Sequence, residues 1–300
     1  MGFGLAVHVT LVFQSKINNP KPKSRIPTML SAETAISRLR RDLTLGAILK
    51  GLLVTAIVAA MVIPSVDLTA ALVVIGGVWL ALGLTSARGS RLAADSPALI
   101  ASGQFEEAER HIEEALRTFS VFRAVKLQSL HHLAVLRHAQ RRWAESALLC
   151  RALLGQRLGA LQGLDKPSRL LLAEAMLEMN DLRGAHEAIG GLYTQRLSLA
   201  EVLKLLRVQL DYECRIGAWD RMTAGVMNKA QLAELMSAAS AARAQALLAL
   251  AAKRAGRADW HDWLRRRAEL LADPEKLIAE RPLLAEVWAD GAGRDGVVGS

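Results

Sequence analysis

Several absences narrow the field first. Cysteine occurs only twice in 300 residues, at Cys150 and Cys214. That is too few for a disulfide framework, and both sit in apolar helical patterns as small core residues of a protein kept reduced. Aromatics make up 4% of the chain, and β-branched runs are confined to one segment. A chain otherwise rich in Ala, Leu, Arg and Glu is therefore expected to be all-α with almost no sheet. HExxH, a nucleophile elbow, a phosphate-binding loop and a Cys/His ligand cluster are all missing, which removes the common signatures of catalysis and of metal or cofactor binding. A literal G-x-G-x-x-G at Gly291, Gly293 and Gly296 follows no strand and precedes no helix, so residues 291–300 read as a flexible tail.

What is abundant is apolar residues, 52% of the chain, with a mean hydropathy of +0.21. Both values point to a membrane portion. The net charge of +9 is unevenly spread. Residues 1–42 carry +5 and residues 43–91 carry +2, leaving +2 for all the rest. The basic excess hugs the apolar segments, and no Lys/Arg stripe interleaved with aromatics lies beyond them, so nucleic acid is not expected as a partner.

From Leu43 to Ile63 the chain reads LTLGAILKGLLVTAIVAAMVI; at helical rise, these 21 residues reach about 31 Å, enough for the hydrocarbon layer. Residues 68–86 form a second apolar run, and only Pro64, Ser65, Val66 and Asp67 separate the two. So short a link makes a transmembrane helical hairpin, since backbone in lipid must be helical. Ala47/Gly51, Ala56/Ala60 and Gly77/Ala81 supply small-residue faces for its helices to approach. Lys50 is close enough to the Arg-rich end to snorkel toward headgroups. Arg38, Arg40 and Arg41 precede the first span, Arg88 and Arg91 follow the second, and the link carries no positive residue. Both ends should therefore be cytoplasmic. Before the hairpin, MGFGLAVHVTLVF lacks the charged start and cleavage site of a signal peptide. Residues 1–30 read as a disordered basic segment, and Ser31 opens a juxtamembrane amphipathic helix over 31–42.

The stretch GQFEEAERHIEEALR, residues 103–117, packs five glutamates and a histidine together. Glu107, His111 and Glu114 share a helix face, yet the Glu-x-x-His pairing that helical di-metal sites use is missing. Phe105, Ala108, Ile112, Ala115 and Leu116 recur at helical spacing, which puts the glutamates on the outer, wet face of an amphipathic helix. Glu106 and Glu107 suit the positive end of its dipole.

This layout, a short polar break followed by a bulky or apolar residue and a helix, recurs. Taking Gly103, Arg141, Asn180, Gly217 and Gly256 as equivalent, the separations are 38, 39, 37 and 39 residues. The second unit carries Leu130, Leu133 and Ala134 on one helix and Trp143, Ser146, Cys150 and Leu153 on the next. The third carries Leu172, Ala173 and Met176, then Leu182, Ala185, Ile189 and Leu192. On these positions residues 92–272 resemble the tetratricopeptide repeat family, with units longer than the family's ~34 residues. Pro97 is expected to cut short the first helix of the first unit, and the fourth and fifth units are degenerate. The resemblance implies a TPR-like α-solenoid, one domain over 92–290, whose concave groove, lined by the first helix of each pair, holds a peptide or partner protein.

Registering the repeats places His131, His138, Glu174, Glu178, Lys204, Arg207, Asp211, Arg215, Lys253 and Arg254 on that inner face, a mixed front with a basic rear. Lys204, Arg207 and Arg215 suit a partner's carboxylate. The expectation is a non-catalytic membrane-anchored scaffold that binds no small molecule, and its two-span anchor ahead of the repeats is similar in layout to some bacterial inner-membrane accessory proteins. Two alternatives stay open. One is a membrane enzyme or transporter accessory subunit using the His131/His138 helix; the other is an organiser that binds anionic lipid through the basic ends.

Overall fold

The computed structural model describes residues 30–62, 68–120, 122–156 and 159–289. The chain divides into residues 1–30 and 31–300, and the described helices belong to the second unit. The expected disordered segment before Leu30, the Pro64–Asp67 link and the tail over 291–300 lie outside the described residues.

Among the described residues every regular element is helical. Two long helices come first, α1 (Ala32–Val62) and α2 (Leu68–Ala101), followed by α3 (Phe105–Arg117), α4 (Arg123–Ala139) and α5 (Trp143–Leu154). A 3-10 segment, Gly159–Leu164, leads into α6 (Asp165–Glu178), α7 (Leu182–Tyr193) and α8 (Leu199–Arg215). Then come two short helices, α9 (Trp219–Thr223) and α10 (Val226–Glu234), and the pair α11 (Ala238–Arg254) and α12 (Ala258–Leu271). The chain closes on α13 (Pro274–Glu280) and α14 (Ala285–Trp288).

Five tight turns set the rhythm. Gly103, Arg141, Asn180, Gly217 and Gly256 all have φ between +59° and +79°. Each donates its N–H to the carbonyl three residues back, and the following residue donates to the carbonyl five back, as Gly103 to Ile100 at 3.1 Å and Gln104 to Leu99 at 2.9 Å. This paired bonding ends one helix with a left-handed residue. The next helix starts two residues after it, at Phe105, Trp143, Leu182, Trp219 and Ala258. The sequence spacing thus marks real, equivalent corners. Asn tolerates the left-handed region and Gly adopts it freely, whereas Arg141 is held there at a steric cost.

The turns join consecutive helices into hairpins, and the first helices of successive hairpins touch: α2 with α4, α4 with α6, α6 with α8, and α8 with α11. Ala108, Ala173 and Ala185 are fully buried, which lets backbones come close between flanking leucines. The fourth hairpin is irregular, because its second half breaks at the left-handed Gly225 into α9 and α10.

Three expectations need correction. The juxtamembrane helix is not a separate element: α1 runs unbroken through Asp42 and Leu43, since nothing there interrupts helical bonding. Its first turns bury Ala32, Ala35 and Leu39, and α1 touches α3, α4 and α5, so this face packs on the hairpins. Pro97 does not end a helix either. It lies inside α2 with its ring exposed, while the buried Ala93 and Ser96 and the Gly103 corner hold the helix to Ala101; the missing proline N–H costs one bond. Finally, Ala47, Gly51, Ala56, Gly77 and Ala81 face outward. Gly46, buried, and the half-buried Leu49, Leu53 and Ile57 make the inward line of α1 there, with Ala59 half-buried beside it.

Beyond Asp42 the character of α1 changes. Leu52 is 63% exposed and Met61 69%, and on α2 Val73 is 69% exposed and Leu80 65%. Two helices are long and apolar enough to cross a membrane, over Ala32–Ala59 and Val73–Ala101. Only 11% and 12% of their apolar windows are buried, unlike a helix inside a soluble core.

Where the shaft meets the hairpins, Asp42 and Lys126 form an ion pair at 2.7 Å. Both are almost inaccessible, and Lys126 also donates to the carbonyl of Leu116 at 2.7 Å. A second buried cation lies further along α4. Arg137 is fully buried and grips Glu109 through two N–H donors, at 2.6 and 3.1 Å, a bidentate geometry. Glu109 is therefore not on the wet face that α3's pattern assigned to all five glutamates; it turns inward toward α4.

Candidate functional site

The ten residues placed on the inner face by register do not form one continuous site. Six converge: His138 at the end of α4, Glu174 and Glu178 one turn apart on α6, and Arg207, Asp211 and Arg215 one turn apart on α8. The i, i+4 spacing aims each set at its neighbour helix. Five of them line a cleft of about 220 Å³ that also takes in Trp143, Arg243 and Arg281, and Arg215 stands beside it, paired with Glu178 and Asp211.

Every carboxylate in the cleft is shared. Glu174 meets His138 Nε2 at 3.2 Å and the Arg207 guanidinium. Glu178 meets Arg215 at 3.6 Å and also Arg281. Asp211, only 7% exposed, is ringed by Arg281 at 2.8 Å, Arg215 at 3.5 Å and Arg243 at 3.6 Å. Burial pushes the Glu174 pKa upward, but His138 and Arg207 outweigh it and the net direction is down, so the carboxylate stays ionised. The His138 ring stands edge-on to Trp143, centroids 4.7 Å apart, which fixes its orientation. Arg281, beside Glu178 and Asp211, comes from the loop after α13.

The other four residues lie apart. Lys204 is exposed one turn before Arg207. His131 has its Nδ1 3.0 Å from the Ser168 hydroxyl, and burial, helped by His132 and Lys204, lowers its pKa to about 4. Lys253 donates to the Glu286 carbonyl at 2.6 Å and Arg254, still exposed, pairs with the Glu286 carboxylate, so α14 supplies partners to the cations that were expected to form a basic rear. Glu106, Glu107 and Glu114 of α3 are exposed. Among the described residues no three His, Cys, Asp or Glu side chains are grouped to hold a metal ion. Both thiols are buried, and burial raises their pKa to about 12 for Cys150 and about 11 for Cys214, which leaves them unreactive.

Register alone misses three cleft residues. Trp143 occupies the packing position that the repeat pattern gives it, but it packs against His138. Arg243 is the only charged residue in the first half of α11, an Ala-rich segment, and that isolation is a signal independent of spacing. Arg281 carries none, because the contact it makes with Glu178 spans 103 residues.

Comparison with protein-family models, with curated proteins and with solved structures finds no match to this chain.

Chemically, the cleft is an ion-exchange surface. Four arginines and a histidine face three carboxylates, and most partners are partly exposed, so an incoming charged group can take over one member of a pair without leaving the other bare.

Proposed function

We propose that this is an integral membrane protein of two spans, with both ends on the cytoplasmic side, whose hairpins form a TPR-like α-solenoid that binds a protein or peptide partner in the charged cleft. It works as a scaffold at the inner face of the membrane and performs no chemistry of its own. The observation that carries this reading is the cleft itself: ion pairs drawn mostly from the first helices of successive hairpins, half-open to solvent and with cations in slight excess, suit recognition of a charged segment more than a reaction. The bare apolar faces of α1 and α2 support the membrane part, and the arginines flanking them support the orientation. The five equivalent corners support the repeat reading.

The test is site-specific photo-crosslinking in native membranes. A benzophenone side chain at Lys204, beside the cleft, should yield a discrete protein adduct, whereas one at Arg183, 91% exposed on α7, should not. Equal labelling at both positions, or none at either, removes the cleft as the binding surface. Orientation is checked by cysteines introduced at Ser65 and Ser102; an impermeant maleimide should reach only the first from outside the cell. The unreactive native thiols keep the background low.

A further inference from the structure

A second cleft lies between the start of α11 and the end of α12, distinct from the charged one. Ala238, Ala241 and Gln245 fall on one face of α11 at spacings of three and four and line it together. Its volume, about 470 Å³, falls within the ~300–1,000 Å³ of ligand sites. The opposite wall is apolar and open: Leu270 is 85% exposed and Leu271 39%, with Met236 partly buried beside them. At the rim Arg267 pairs with Glu234 and lies over the Trp263 ring at 5.0 Å, so the rim carries no net charge.

What makes this more than an apolar patch is Gln245. It is fully buried, and among the described residues neither its amide nitrogen nor its amide oxygen has a hydrogen-bond partner. A buried carboxamide with both its donor and its acceptor unanswered is costly and rare in a folded protein. The complement it lacks is one acceptor and one donor side by side. The N–H and C=O of a single residue in an extended segment make that pair; a carboxylate offers only acceptors, and an ammonium only donors. The neutral rim and aliphatic wall select in the same direction, toward an uncharged ligand with a branched apolar side chain.

We infer that this cleft is a docking site for an extended aliphatic peptide segment of a partner protein, which seats a leucine-like side chain against Met236, Leu270 and Leu271 and answers Gln245 with the N–H and C=O of one of its residues. The inference stands independently of the charged cleft, whose residues it does not use.

The probe is N-acetyl-leucinamide, titrated into the full chain in lipid nanodiscs and read by methyl NMR. The Met236, Leu270 and Leu271 methyl signals should shift saturably. Gln245→Met, which keeps the volume and removes the orphaned amide, should raise the melting temperature of the ligand-free protein and weaken binding at least ~10-fold. Leu270→Asp, on a side chain that supports no packing, should also weaken it. Methyl 4-methylpentanoate, with the same branched body but acceptors only, should not saturate at the same concentrations. No saturable shift in the parent protein overturns the inference, as does equal affinity in Gln245→Met, which would mean that an ordered water alone answers the amide. Equally strong binding of the ester overturns it too, leaving only a greasy surface.

Discussion

The two halves of α1 are one helix with opposite surfaces. From Ala32 to Asp42 its hidden face, Ala32, Ala35, Leu39 and Asp42, is matched by partners: small and large apolar side chains against the hairpins, and the carboxylate against Lys126. From Leu45 onward the large apolar side chains mostly point away from the protein, with Leu45, Ile48, Leu52, Val54, Val58 and Met61 all exposed. The first half follows the rule of aqueous folding, in which burial is driven by water. In the second half that rule is inverted, as in a helix long and apolar enough to cross a membrane, where hydrocarbon takes the place of water. The backbone does not register the change, because a helix satisfies its own hydrogen bonds in either medium.

Four measurements would break or sharpen that contrast, using chemical or thermal unfolding of the full chain in nanodiscs. The largest effect is expected from Asp42→Ala, which leaves Lys126 buried with only carbonyl oxygens for company and should cost about 3–5 kcal/mol. Combining Asp42→Leu with Lys126→Met should recover most of that loss, because what hurts is the unpaired charge and not the missing pair. Next, Leu39→Ala, in the packed half and 1% exposed, should cost about 2–4 kcal/mol through lost burial and the cavity left behind.

Acid comes third and should loosen only the packed hairpins. His131 has its folded pKa pushed down from 6.5 to about 4, so its contribution to stability is complete above pH 6.5 and is lost as pH falls toward 4, where the unfolded chain takes up the proton first. His132, lowered by burial, acts in the same direction. His131→Asn should flatten the slope between pH 6.5 and 4 without changing stability at pH 8 by a comparable amount. The smallest effect belongs to Leu52→Ala, 63% exposed on the apolar half: within about 0.5 kcal/mol, the range of a residue that touches little protein. A loss as large as that from Leu39→Ala would mean that the face is covered by protein, and the contrast would fail.

Much of this architecture is legible without coordinates, for reasons specific to particular residues. The corners at Gly103, Arg141, Asn180, Gly217 and Gly256 are readable because a left-handed cap, a polar break and a following bulky residue recur at a nearly fixed spacing. The two long apolar helices are readable because a continuous apolar run of that length stands out in the sequence. The i, i+4 pairs of α6 and α8 follow from helical register alone, and they make up most of the charged cleft. What escapes is whatever depends on distant chain segments meeting. Arg281 reaches Glu178 only because α13 and the turn after it fold back, and Glu286 covers Lys253 and Arg254 for the same reason. Glu109 looks like its four glutamate neighbours until Arg137, 28 residues on, claims it. Composition changes sharply near Asp42 and suggests a boundary there, yet no residue in that stretch breaks a helix, so α1 carries straight on into the hairpins. Small residues in an apolar run say that close approach is allowed, not that it happens, and the outward Ala47 and Gly51 show the difference.

The unbroken course of α1 carries one more implication. Its 31 residues measure roughly 46 Å end to end, against the ~30 Å thickness of a bilayer's oily interior. The excess is stiff and clamped to the hairpins by the Asp42–Lys126 bolt, so the stack has no tether to swing on and cannot search the volume around it. On the membrane placement proposed above, the charged cleft is held at a fixed height over the lipid, and that proposal favours partners that are themselves confined to the membrane surface.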